Sequence, residues 1–186
     1  PMPAALAAAH IGHEIEHSSA MFGFLMGALV GLAAAVTVVA IIGTGGAALG
    51  VIAAVGGIVA ATGGGALTGM RLGQLAKSPK GPISTGSPNV FYGPARIAAA
   101  RAVIDTVDCQ NHGKKRLATG SDSVFLNEYP AVRNEDVSEC DGTVKSDIDH
   151  IFIGAETAQY LEIQSEVPQW MVDVAMGMVI VGSAVA

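Results

Sequence analysis

The sequence predicts an α+β chain: a hydrophobic helical hairpin of transmembrane type, then a small all-β body with pseudo-threefold repeats. Three observations carry this. The 53 residues from Ser18 to Met70 contain no Asp, Glu, Lys, Arg or His. All ten Lys and Arg lie between Arg71 and Lys145. Within that polar block, Thr85-Gly86-Ser87-Pro88-Asn89-Val90-Phe91 is echoed 34 residues later by Thr119-Gly120-Ser121-Asp122-Ser123-Val124-Phe125. The averages, 51% hydrophobic and mean hydropathy +0.48, therefore describe neither half.

Residues 1–17 carry His10, His13, Glu14, Glu16 and His17 but no Lys or Arg. A secretory signal needs a basic start and a short apolar core, so synthesis without general export is expected. The net charge of −6 leaves no basic surface for neutralising phosphates, and nucleic acid is not an expected partner.

In residues 18–70, Met21 to Ile42 is long enough to cross a bilayer, and Ala47 to Leu67 supplies a second crossing. Gly43-Thr44-Gly45-Gly46 breaks the run between them, which predicts a helical hairpin. Gly23, Gly27, Gly31 and Ala35 recur every four residues and put small side chains on one face, where a second helix can approach closely. The glycine-rich stretches at 43–46 and 63–65 lack the Lys and Ser or Thr of a phosphate loop and read as turns. A buried helix pair in a soluble protein is the competing reading, but an uncharged run leaves it no solvated face. So large an apolar surface cannot stand bare in water; it sits in the producer's membrane or a partner covers it.

Residues 71–168 hold the repeats. A weaker third copy runs from Lys145 to Gly154. Each is a turn followed by a short β-branched and aromatic strand signal. The first two copies have related tails: Ala99-Ala100-Arg101 leads to Asp105 and Cys109, and Pro130-Ala131-Val132-Arg133 leads to Asp136 and Cys140. In both, Asp precedes Cys by four residues. So small a body needs a staple. Cys109-Gln110-Asn111-His112 is a C-x2-H pair, and Cys140 occupies the matching loop of the next repeat. Thiolate and imidazole suit a closed, structural zinc site of four ligands, the fourth to come from the N-terminal histidines. A Cys109–Cys140 disulfide is the alternative, less suited to a cytoplasmic origin. His112 alone reads equally as an exposed loop residue, and His150, inside a strand repeat, as a packing residue. No carboxylate pair or Ser/His/Asp arrangement stands out, so no enzyme is expected within these residues.

In residues 169–186, Met171 to Ala186 is apolar except for Asp173 and stops in mid-run. It reads as the start of a second transmembrane region, the chain being expected to belong to something longer.

The repeated G-S-x-x-V-F turn, the Pro130-Ala131-Val132-Arg133 tetrapeptide and the D-x3-C spacing resemble PAAR proteins, roughly over Ser78 to Pro168. Ala8-Ala9-His10 through His13 to His17 resembles the prePAAR element, A-A-R-x-x-D-x-x-x-H, with His10 and His13 at its Arg and Asp positions. The order of prePAAR segment, apolar hairpin, PAAR region and further apolar run resembles Tse6-like or Rhs-type effectors of the type VI secretion system. The resemblance implies a β-cone that caps a trimeric VgrG-type spike. It implies structural Zn2+ held by His17, Cys109, His112 and Cys140, with His13 as the runner-up ligand. It further implies an Eag-family chaperone that shields the transmembrane helices in the bacterial cytoplasm. After secretion, the hairpin would insert in the target-cell inner membrane and aid passage of a toxin carried on a later domain. The alternative from another class is a resident bacterial membrane protein with a small metal-binding β domain.

Overall fold

The computed structural model describes residues 5–42, 48–154 and 156–185, without the side chains of 33–42, 48–59 and 185. The chain falls into two compact units, Pro1–His17 with Ser78–Ser165 and Ser18–Lys77 with Glu166–Ala186.

In the β unit, the AxR-type tripeptides form a closed ring. The Ala9 N–H donates to the Val132 carbonyl at 3.0 Å, Val132 N–H to Ala100 at 3.1 Å, and Ala100 N–H to Ala9 at 2.9 Å. All three residues are fully buried. Small side chains belong here because three backbones meet at one point.

From the ring, three equivalent legs extend. Each begins at an antiparallel strand pair: Phe91–Tyr92 with Ile97–Ala98, Phe125–Leu126 with Tyr129–Pro130, and Phe152–Ile153 with Leu6–Ala7. The third leg is thus assembled from the two ends of the unit. A serine hydroxyl closes each preceding turn, Ser87 Oγ accepting from Val90 N–H, Ser121 from Val124 and Ser146 from Ile148. Two residues beyond each tripeptide centre's Arg or His neighbour, the backbone is left-handed: Val103 (φ 73), Glu135 (φ 71) and Gly12 (φ 93). For a β-branched valine this is an outlier that surrounding bonds must hold. Here Val103, Glu135 and Gly12 donate to Leu117, Val144 and Ile83, which donate back to Asp105, Asp136 and His13. Ile83, Leu117 and Val144 then pack with Ile15 and Val107 as the apolar core.

The helical unit holds α1 (Ala20–Ile42), α2 (Ala48–Leu75) and α3 (Gln169–Val185). Ser18 Oγ accepts from the Ala20 N–H at 3.3 Å and donates to Glu166 at 2.6 Å, which caps α1. α1 and α2 run antiparallel, and their backbones touch: a Cβ at Gly23, Gly27 or Gly31 would overlap the carbonyl of Gly69, Gly65 or Ala61. Ala20, Phe24, Ala66, Val167 and Ala175 form a core shared by α1, α2, α3 and the residues leading into α3.

The expected transmembrane-type hairpin is corrected by this structure. Among the described residues, no helix is long and apolar enough to cross a membrane. Instead of a pair facing lipid on its own, α1 and α2 bury their small-residue faces on each other and on α3. Glycines at 63–65, 69 and 73 add no apolar side chain to α2, and Arg71 and Gln74 end its run. The expected Gly43–Gly46 turn lies outside the described residues, as do the side chains of Ala35 and of much of Ala47–Leu67.

Candidate metal centre

Each leg delivers one side chain to a common point. Four residues after Asp105, Asp136 and His13 come Cys109, Cys140 and His17, each reached by a short extended segment. A fourth group arrives locally. The hairpin of Thr106–Cys109 with Gly113–Arg116 pairs Cys109 with Gly113, and His112 sits in its turn. Gly113 has φ 68, the left-handed value that lets so short a turn close.

Cys109 Sγ lies 3.3 Å from His17 Nε2 and 3.3 Å from His112 Nδ1, and Cys140 Sγ lies 3.4 Å from His17 Nε2. All four donor atoms fall within 4.8 Å of one another. With ordinary Zn–S and Zn–N bond lengths, a tetrahedral ion puts sulfur and nitrogen about 3.5 Å apart. The set therefore fits a tetrahedral metal ion. His17, Cys109 and Cys140 are buried, and His112 closes the exposed side.

Both cysteines are thiols and not a disulfide. Burial pushes the Cys140 thiol above its ordinary value, opposed by the Ser138 hydroxyl at 3.3 Å. A metal ion held there would bind both cysteines as thiolates and compensate their charge. Gly142 keeps the space open: a Cβ there would come within 2.7 Å of Ile15 and 2.8 Å of His17 Nε2.

His10, His13 and His150 lie elsewhere. The His10 and His13 rings stack 3.6 Å apart, and His13 Nε2 contacts Asp147 Oδ1 at 2.8 Å. His150, expected as a packing residue, is 65% exposed and pairs with Asp149 at 2.9 Å. It lies in the bend before Phe152–Ile153 and faces outward, while Ile153 goes in.

His10 and His13 stand where the other legs have Arg and Asp. Arg101 pairs with Asp105 and Arg133 with Asp136, each pair buried. Each Asp also accepts its Arg's own N–H, at 2.9 and 2.7 Å; in the third leg the His10 N–H donates to His13 Nδ1 at 3.1 Å. The sequence placed His10 and His13 at the Arg and Asp positions of the prePAAR element, but not as the third leg of the same body. The signal was present, since His13 precedes His17 by the same four residues that separate each Asp from its Cys.

Comparison with known proteins agrees with this geometry. Residues 2–74 match the class I prePAAR effector Rhs1 motif, and residues 74–146 match the PAAR motif. The double-stranded DNA deaminase toxin A of Burkholderia cenocepacia (strain H111) is 35% identical over 166 residues, which is 88% of this chain. The chain spans 11% of that relative's length.

Proposed function

Starting from a chain that is a prePAAR and PAAR region of a type VI secretion effector, we propose that its β unit caps a trimeric VgrG-type spike. The observation that carries this is the placement of Phe91, Phe125 and Phe152. They open the three equivalent legs and remain 36%, 49% and 57% exposed. Three equivalent apolar side chains suit a partner with threefold symmetry, whose matching surface each would meet once.

The metal is zinc, held by His17, Cys109, His112 and Cys140. When bound, it cross-links the three legs and has no open position for chemistry. The PAAR region is thus a structural and carrying element, and a toxin segment of the same effector travels with it.

An Eag-type chaperone covers the helical unit before secretion. Phe22, Leu29, Val30, Leu72, Leu75, Ile180 and Val181 are all exposed. A groove of about 700 Å³ is lined by Phe22, Met26, Val30 and Leu72 with the glycines between them. Apolar surface on this scale needs a partner in water.

The test is reconstitution with a VgrG-type trimer, followed by native mass spectrometry. One chain per trimer is expected, lost when Phe91, Phe125 and Phe152 are all changed to Asp. Undiminished binding by that variant, its metal content intact, would sink the docking proposal. Co-expression with and without the chaperone tests the second part, soluble recovery being expected only with it.

A further inference from the structure

Two legs of the β unit close with a buried Arg–Asp ion pair. The N-terminal leg closes with two stacked imidazoles in the same places. We infer that the His10–His13 pair makes the N-terminal leg an acid-released latch, closed when His13 is neutral and opened when it is protonated.

The tautomer follows from one hydrogen bond. A backbone N–H can only donate, so His13 Nδ1 accepts from His10 and the neutral ring keeps its proton on Nε2. That Nε2–H donates to Asp147 at 2.8 Å. The His10 Nδ1 lies 2.7 Å from the Ile11 carbonyl, where it can only be the donor. A second proton on His13 must go to Nδ1, and two N–H groups then face each other. The bond that holds His10 to its own leg is lost, beside the Ala8-Ala9 stretch that completes the central ring. The trio does not suit a metal ion. A neutral His13 bound through Nε2 would need its proton on Nδ1, where the His10 N–H already points.

The charges facing His13 are few. Its own leg offers His10, and the Lys145–Gly154 turn offers Asp147, 91% exposed, and the Asp149–His150 pair. The neighbouring ladder of Thr143–Lys145 with Glu14–Ser18 adds Glu14 and the Glu16–Lys145 pair at 3.8 Å. Burial lowers His13 from its ordinary 6.5, the Asp147 hydrogen bond opposes this, and His10 lowers it further. The sign is then fixed. A group whose folded value is depressed leaves the closed leg fully stable above 6.5. Stability is lost as pH falls from there toward the folded value, by up to about tenfold per pH unit.

Hydrogen exchange of residues 6–17, measured on the zinc-loaded chain with its cover in place between pH 7.5 and 5, tests the latch. After correction for intrinsic exchange, protection should fall with acid in the natural protein. It should stay flat in His10→Arg/His13→Asp, which restores the ion pair of the other legs. Acid loss of metal would affect both proteins alike, so equal slopes overturn the inference. Should that double variant fail to fold, Asp147→Asn decides. It alters an exposed residue and removes the group that favours protonated His13, so the fall should still begin near 6.5 but run on to lower pH and to a larger total loss. A fall that levels off at the same pH as in the natural protein overturns the latch.

Discussion

His17 Nε2 lies 3.3 Å from Cys109 Sγ, although 92 residues separate them in sequence. The contact ties the N-terminal leg to the first PAAR repeat. His17→Ala should weaken metal binding by more than the roughly 10–100-fold that loss of a supporting hydrogen bond costs. Competition against a chromophoric chelator measures it, and natural affinity in the variant would remove His17 from the site. Stripping the metal at pH 7 should unfold the β unit, seen as loss of amide protection in residues 78–165.

Arg133 and Asp136 are both fully buried. Burial raises the Asp136 carboxyl and Arg133 opposes that shift. Arg133→Met leaves the acid without its cation and should cost about 3–5 kcal/mol in urea unfolding. Lys114→Met, at an exposed pair 3.9 Å apart, should change stability by less than about 1 kcal/mol. Equal effects would contradict the distinction.

The Tyr92 hydroxyl is buried with no hydrogen-bond partner, and burial pushes its pKa up to about 12. Tyr92→Phe removes an unsatisfied group and should stabilise the β unit by about 1 kcal/mol. Ultraviolet titration should show one fewer late-ionising phenol. A loss of stability would mean that the hydroxyl has a role the geometry does not explain.

A Cβ at Gly69 would overlap the Gly23 carbonyl and crowd Gly27. Gly69→Val should therefore push α1 and α2 apart, at about 3 kcal/mol. The melting temperature followed by helical dichroism reads this directly. Leu75→Val, at an exposed position, serves as the control.

Much of the β unit is legible in sequence because its repeats preserve chemistry in order: Ser for the turn, Arg and Asp for the buried pair, Cys for the apex. The third leg is harder to see. Its turn and strand lie at residues 145–153 while its tripeptide and ligand lie at 8–17, so no continuous stretch displays it. Histidines in place of Arg and Asp hide it further, although Nδ1 of His13 accepts the same bond that a carboxylate does. The helices misled for a different reason. An uncharged run reports that a segment avoids water, whereas what buries it, lipid or another helix, depends on the small residues at 23, 27, 31, 65 and 69 and on α3.

The split third leg also sets an order of events during synthesis. Leu6 and Ala7 leave the ribosome well before their strand partners, Phe152 and Ile153, which follow more than 140 residues later. Contacts so distant in sequence form slowly. In that interval the whole of α1 and α2 has already emerged, with its apolar faces open to any other nascent chain. The proposed chaperone of those helices would therefore have to engage before the β unit can close, and the third leg is the last of the three whose strands are complete.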